Sequence, residues 1–183
     1  MERPYPKYDP DNVPAIYGTE TYEKPLAWLL ETCDSIEDWG CGYAYAKRYV
    51  PGGKYFGVDG SPEAAPYADK ITDLTTYTTS VDGIFIRHIL EHNHGWRDVL
   101  MNAVDSFTKR LVLIMFTPFG KYTTPMVNNA LVDYSFRKDE ITDYFKGLSV
   151  REEYLVTNTQ YHHEHIFYVE KNEPEEEAPP LAA

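Results

Sequence analysis

Apolar and polar residues alternate along the chain in two periods, one typical of strands and the other of helices. Short apolar runs bounded by polar or turn residues predict strands at 35–40, 54–60, 70–74, 81–90 and 110–117. Apolar residues at helical spacing predict helices at 21–33, 43–50, 62–68, 95–108 and 137–147. Two last runs, 148–157 and 164–170, predict an antiparallel strand pair. Because strands and helices alternate, the pattern predicts an α/β fold with a doubly wound, mostly parallel sheet of seven strands.

The composition fits one domain with two terminal extensions. The 183 residues are enough to bury a sizeable core, and 43% hydrophobic residues exclude a wholly disordered chain. The domain is predicted over 21–170. Residues 1–20 are rich in proline and are interpreted as an arm, whereas 171–183 are interpreted as an acidic, flexible tail.

The sequence favours a cytoplasmic protein. No apolar run approaches the ~20 residues of a membrane span, and the first residues lack the apolar core of a signal peptide. Cys33 and Cys41 are therefore expected to be reduced thiols rather than a disulfide.

The net charge of −12 bears on the partner. Binders of nucleic acid normally present a basic face to the phosphates. The excess of acidic residues disfavours nucleic acid as a partner and favours a small or neutral molecule. A local basic patch that binds phosphates remains an alternative.

A turn with two glycines follows the first predicted strand, in "IEDWGCGYA" (36–44). A strand, a glycine turn and a helix in that order aim backbone N–H groups and a helix N-terminus at a ligand. Asp59 ends the next predicted strand 19 residues after Gly40, where an acid can hold ribose hydroxyls. The third glycine of a dinucleotide-binding turn is absent, and Ala44 stands there instead. The pattern therefore predicts a nucleoside-containing cofactor other than a nicotinamide dinucleotide.

Four motifs together resemble the class I S-adenosylmethionine (SAM)-dependent methyltransferases. "IEDWGCG" (36–42) is similar to their first motif, and "GVDGSP" (57–62) to the end of their second strand. "ITDL" (71–74) and "VDGIFIRHILEHNHGW" (81–96) are similar to the third and fourth. The resemblance covers about 24–170 and implies their Rossmann-like fold, with SAM as cofactor.

The resemblance implies a set of residues that contact SAM. Asp38 would orient the glycine turn and the amino group of the methionine moiety, and Asp59 would accept from the ribose hydroxyls. Asp73 and Leu74 would meet the adenine ring, and Arg87 would lie near the methionine end. The full set is Asp38, Gly40, Cys41, Gly42, Asp59, Gly60, Ser61, Asp73, Leu74 and Arg87.

Histidines after the fourth strand are candidates for catalysis. A hydroxyl acceptor must lose its proton, and a histidine can take it near neutral pH. His92 is the first candidate for this base and His88 the second. A second group, His162, His163 and His165, has no spacing diagnostic of a metal, so no metal is predicted.

The acceptor is predicted to be small and polar, a hydroxyl or amine of a sugar or metabolite. The predicted domain is minimal and has no separate substrate domain, so the acceptor pocket is expected to be built from the N-terminal helix, the 87–96 turn and the long segment 116–136, which would form one wall. The motifs by which methyltransferases hold a flipped base are absent. Two alternatives stay open, a macromolecular acceptor and a degenerate, binding-only partner subunit. Assembly as a homo-oligomer or with a protein partner is also open.

Overall fold

The computed structural model describes residues 19–128 and 131–172 of the chain. Most of the predicted arm (1–20) and tail (171–183) therefore lies outside the described residues.

A seven-stranded sheet organises the described residues, with the strand order β3-β2-β1-β4-β5-β9-β8. Neighbouring strands are parallel from β3 to β5, and β9 is antiparallel to both β5 and β8. The predicted mostly parallel sheet with an antiparallel strand pair is thus confirmed. The strands are β1 (Ile36–Trp39), β2 (Tyr55–Asp59), β3 (Lys70–Ile71), β4 (Val81–Arg87), β5 (Phe107–Met115), β6 (Thr124–Asn128), β7 (Leu131–Ser135), β8 (Ser149–Val156) and β9 (His163–Glu170).

Helices cover the two faces of the sheet. The helices are α1 (Glu20–Leu30), α2 (Trp96–Ser106) and α3 (Lys138–Thr142). Leu26 and Leu29 of α1 belong to one apolar cluster with Ile36 of β1. On the other face, α2 and α3 contribute to a larger cluster that contains Trp39 and Phe167. Because the strands are buried on both faces, β5 is a nearly continuous apolar run.

The strand order reverses at β1, which pairs with β2 on one side and β4 on the other. Trp39, the last residue of β1, is level with Val58 of β2 and Ile86 of β4. The carboxyl ends of these strands diverge there into different loops, which is where open α/β sheets bind their ligands.

Glu37 is a buried acid in the first strand, at a position where an apolar residue is expected. Its carboxylate accepts from Trp39 Nε1 at 2.8 Å and from Thr79 Oγ1 at 3.0 Å. The hydroxyl of Tyr77 lies 3.3 Å from both carboxylate oxygens. Three donors therefore compensate for the lost hydration, and the acid is compatible with the core.

The prediction of a helix at 43–50 is wrong. The segment forms only a 3₁₀ turn at Tyr45–Tyr49, preceded by Ala44 in the left-handed region at φ 53°. The left-handed residue prevents a regular helix start, and the following Pro51 disfavours helical backbone at Val50, which is extended. The glycine turn thus presents backbone N–H groups without an α-helix behind it.

Other element bounds also differ from the predictions. The fourth strand ends at Arg87, because His88 has φ 58° and a 3₁₀ turn follows at Leu90–His92. The segment 116–136, predicted as a loop, contains the antiparallel hairpin of β6 and β7. None of the helices described is long and apolar enough to cross a membrane.

Candidate active site

The glycine turn after β1 has three residues with left-handed backbone. Gly40, Gly42 and Ala44 have φ values of 76°, 51° and 53°. The amides of Gly40 and Cys41 donate to the carbonyl of Val58, at 2.7 and 3.2 Å, so the turn is fixed to the end of β2.

The two glycines differ in what surrounds them. A Cβ at Gly40 would lie 2.0 Å from Cδ1 of Ile89. A Cβ at Gly42 would have no described atom within 4 Å. Packing therefore requires a glycine at position 40, whereas position 42 faces space beside the switch point that no described atom fills.

Asp59 joins the glycine turn to the loop after β2. Its Oδ2 accepts from the amide of Gly42 at 2.8 Å, and its Oδ1 accepts from the amide of Ser61 at 2.7 Å. Each carboxylate oxygen can accept more than one hydrogen bond. The side chain therefore holds both loops together, and its two oxygens can still accept further hydrogen bonds from a ligand.

Asp38 lies buried behind the turn. It accepts a hydrogen bond from the hydroxyl of Tyr55 at 2.8 Å. Burial raises the pKa of Asp38 to about 7, with a smaller contribution from Asp59, while the Tyr55 hydrogen bond and Arg87 lower it. Asp38 can thus gain or lose a proton near neutral pH.

The remaining predicted cofactor residues occupy adjacent loops. Asp73 is exposed, and its Oδ1 accepts from the amide and hydroxyl of Thr75 at 2.9 and 2.7 Å. Leu74 is buried, and the amide of Thr72 donates to the carbonyl of Asp59, which ties this loop to Gly60 and Ser61.

The thiol of Cys41 packs towards Gly57 of β2 and lies 4.0 Å from the carbonyl oxygen of Gly42. Its Sγ would lie 3.0 Å from a Cβ at Gly57, and burial raises the pKa of the thiol. The prediction that Cys41 contacts a cofactor therefore rests on its backbone, which lies in the glycine turn.

Arg87 belongs to a buried ion-pair network that the sequence did not reveal. Its Nη2 lies 2.9 Å from Oε1 of Glu164, while Nε donates to Thr21 Oγ1 and Nη1 to the hydroxyl of Tyr22. The network joins β4, β9 and α1 at the edge of the sheet where the site lies.

His88 contacts the same carboxylate. Its Nε2 lies 2.5 Å from Oε1 of Glu164. Burial, followed by the charge of Arg87, lowers the pKa of His88 to about 3. A histidine this hard to protonate is a poor proton acceptor, so the lowered pKa argues against His88 as a base.

His92 is paired with Asp133, which the sequence analysis missed. Nδ1 of His92 lies 3.0 Å from Oδ1 of Asp133, whose Oδ2 accepts from the hydroxyl of Tyr161 at 3.2 Å. The His92 side chain is half-exposed and that of Asp133 is buried. Asp133 lies on β7, so the 116–136 segment does contribute to this region.

Glu91 is a fully buried carboxyl beside His92. Its Oε1 accepts from the amide of Phe116 at 2.6 Å. Burial raises the pKa of Glu91 to about 8, and Asp133 contributes in the same direction. At neutral pH most molecules therefore carry a neutral Glu91.

Glu91→Gln is expected to remove a pH dependence of stability. Between the ordinary pKa of 4.5 and the folded value of about 8, the folded chain holds one proton that the unfolded chain loses. The contribution of Glu91 is thus full below pH 4.5 and is lost as the pH rises through 8. The free energy of unfolding of the wild type should therefore fall relative to that of the variant as the pH rises. The difference, variant minus wild type, should increase by at most about 1.4 kcal/mol per pH unit between roughly pH 5 and 8.

Urea unfolding at several pH values measures this difference. The same change at the exposed Glu20 is the control. A difference between wild type and Glu91→Gln that is independent of pH would contradict a neutral Glu91.

The second histidine group lies on or beside β9. Nδ1 of His165 is 3.1 Å from Oε1 of Glu152, and Nδ1 of His163 is 2.7 Å from the carbonyl of Tyr161. In the described part of the chain, no three His, Cys, Asp or Glu side chains converge as metal ligands.

Solved structures similar to this chain are SAM-dependent methyltransferases. Magnesium protoporphyrin IX methyltransferase from Synechocystis PCC 6803, solved with bound SAH, matches with a TM-score of 0.64 and 17% identity, over 84% of this chain and 83% of that chain. The 1,6-didemethyltoxoflavin-N1-methyltransferase from Burkholderia thailandensis, solved with S-adenosylhomocysteine, matches with a TM-score of 0.64 and 16% identity. The match covers 84% of this chain and 79% of that chain. The chain has the class I methyltransferase fold.

A third match to the methyltransferase fold involves a complex. It is the Haloferax volcanii Trm112 methyltransferase activator with a putative methyltransferase, at a TM-score of 0.57 and 15% identity, over 87% of this chain and 94% of that chain. No protein-family model and no curated protein matches the sequence.

Proposed function

We propose that the protein is a SAM-dependent methyltransferase that methylates a hydroxyl or amine of a small polar acceptor. The observation that carries the proposal is the glycine turn at the switch point, held by Asp59 and open to ligand at Gly42. Similar structures with this fold were solved with SAM or its product bound, which supports the choice of cofactor.

The residues at the switch point fit SAM. The open face at Gly42 lets a ligand approach the backbone, and Asp59 has acceptor capacity for ribose hydroxyls. Asp73 and Leu74 would contact the adenine, while Asp38 and Arg87 would lie at the methionine end. When bound, SAM supplies a methyl group activated by its sulfonium sulfur.

The acceptor side would be formed by the 90–92 turn and the β6–β7 hairpin. His92 is the half-exposed side chain there, and the rings of His88 and His92 flank Phe116 at centroid distances of 4.6 and 5.5 Å. Such a site would align an acceptor and exclude water from it, which is most of what methyl transfer requires. The charge of −12 favours a small molecule over nucleic acid.

A second candidate is a methyltransferase that needs a protein partner. The match to an archaeal methyltransferase in complex with its activator supports it. Tight SAM binding by the isolated chain without transfer to any acceptor would favour this candidate. Cys33 and Cys41 are free and buried, which fits the proposed cytoplasmic location.

Asp59→Ala tests the proposed cofactor site. The change should weaken SAM binding by roughly 1–3 kcal/mol, or about 5- to 150-fold in Kd, because a carboxylate that accepts from the ligand is lost. Isothermal titration calorimetry on the wild type and the variant measures it.

Asp105→Ala is the matched control, since Asp105 is an exposed residue of α2. Its SAM affinity should equal that of the wild type, and NAD should not compete in either protein. A wild type that binds NAD and not SAM would refute the proposed function.

A further inference from the structure

His92, Asp133 and Tyr161 form a polar chain between three segments that are distant in sequence. His92 ends the 3₁₀ turn after β4, Asp133 lies on β7, and Tyr161 precedes β9. Nδ1 of His92 is 3.0 Å from Oδ1 of Asp133, and the Tyr161 hydroxyl donates to Oδ2 at 3.2 Å. The hairpin packs on the 90–92 turn, which brings the chain together.

The burial of Asp133 determines where the imidazole proton must lie. Its side chain is 3% exposed, and its buried Oδ1 accepts no hydrogen bond from the described residues, since Nδ1 of His92 lies within reach at 3.0 Å but without hydrogen-bond alignment. A buried carboxylate oxygen without a donor is costly, by about 1–3 kcal/mol or more. Nδ1 of His92, 3.0 Å away, can satisfy that oxygen once the ring turns towards it, and only when it carries the proton. The neutral ring then has its basic lone pair on Nε2.

We propose that Asp133 and Tyr161 are positioning residues that hold His92 in the Nδ1–H tautomer, so that Nε2 can accept the proton of a hydroxyl acceptor. The proposal rests on the proposed methyltransferase function and narrows its acceptor to a hydroxyl. An amine that arrives neutral can attack without prior proton removal, so an oriented histidine base would add little for it.

The transfer step balances with these groups. The hydroxyl proton passes to Nε2, the oxygen forms a bond to the methyl carbon, and the electron pair of the broken carbon–sulfur bond stays on sulfur. The resulting imidazolium is stabilised by the Asp133 carboxylate until it returns the proton to water. The aromatic rings of Phe116 and Tyr161, 5.8 Å apart, form an apolar wall beside the histidine.

The tautomer of His92 can be measured without an acceptor. Long-range ¹⁵N–¹H spectra of the full, uniformly labelled chain at a pH where His92 is neutral distinguish the two ring nitrogens, and His92→Gln assigns the signals. The wild type should show a protonated Nδ1. Asp133→Asn should lower the ratio of Nδ1–H to Nε2–H by about tenfold, the value of one hydrogen bond to a charged group. Tyr161→Phe should shift the ratio in the same direction by less.

Asp143→Asn is the matched control, because it removes an exposed carboxylate that pairs with Lys146. An Nε2–H tautomer in the wild type would overturn the proposal and would indicate another donor to Asp133, such as Glu91. An unchanged tautomer in a folded Asp133→Asn would overturn it as well. If that variant does not fold, the wild-type spectrum still shows which ring nitrogen of His92 carries the proton and so tests the proposal. SAM titration of the same sample separates the two hypotheses, since absence of binding defeats the proposed function and leaves the tautomer result standing.

Discussion

His92→Ala is expected to lower turnover on a hydroxyl acceptor by about 10²–10⁴, the usual effect of losing a general base. His92 is the half-exposed histidine beside the proposed methyl position, and its Nδ1 faces a buried carboxylate. SAM affinity should change little, because the side chain acts on the acceptor side. Initial rates with SAM labelled in the methyl group, together with calorimetric titration of SAM, measure the two quantities.

His94→Ala is the matched control for this prediction. His94 is also exposed and lies two residues away, but its Nδ1 contacts the hydroxyl of Tyr134 at 2.7 Å rather than a carboxylate. Its loss should leave turnover within a few-fold of the wild type. Loss of less than about tenfold in His92→Ala would argue for an acceptor that needs no base, such as a neutral amine.

The arrangement of the proposed cofactor side could be predicted from the sequence because its residues come from consecutive strand ends. Gly40, Gly42 and Asp59 follow two neighbouring strands, and parallel strands bring their carboxyl ends to one edge of a sheet. Local spacing therefore contained the necessary information. The same reasoning placed the histidines after β4.

The arrangement of the proposed acceptor side was only partly predictable because its residues come from distant segments. Asp133 is 41 positions from His92, in a hairpin that the sequence analysis interpreted as a loop. The position of Glu164 was a weak indication in the sequence. It lies on the same side of β9 as the buried Ile166 and Tyr168. A charged residue on the buried side of a strand indicates a buried partner of opposite charge but does not identify it. The partner, Arg87, is 77 positions away in the sequence.

The failed helix prediction is explained by the backbone that the glycine turn requires. Apolar residues at helical spacing suggested a helix over 43–50, and alanine, present at Ala44 and Ala46, favours helical backbone. The turn instead requires left-handed backbone at position 44, where φ is 53°. Tertiary geometry overrides propensity here, and the cost of a left-handed alanine, about 1 kcal/mol, is offset by the hydrogen bonds of the turn.

Gly40→Ala is expected to destabilise the protein by about 2–4 kcal/mol. The new Cβ would overlap Ile89, 2.0 Å from its Cδ1, and the residue would have to keep φ at 76°. Overpacking costs about 1–3 kcal/mol and left-handed strain about 1–2 kcal/mol, and rotation of Ile89 relieves part of the sum. Urea unfolding of the variant and the wild type measures the loss.

Gly42→Ala is the matched change in the same turn, and its effect should appear in binding rather than in folding. No described atom lies within 4 Å of the new Cβ, and Ala44 shows that the turn accepts an alanine with left-handed backbone. Stability should therefore fall by only about 1 kcal/mol. Since the Cβ points into the space proposed for SAM, affinity should fall roughly 5- to 150-fold, the equivalent of about 1–3 kcal/mol of overpacking. Wild-type affinity in this variant would mean that SAM does not approach the turn at Gly42, and the proposed cofactor site would have to be placed elsewhere.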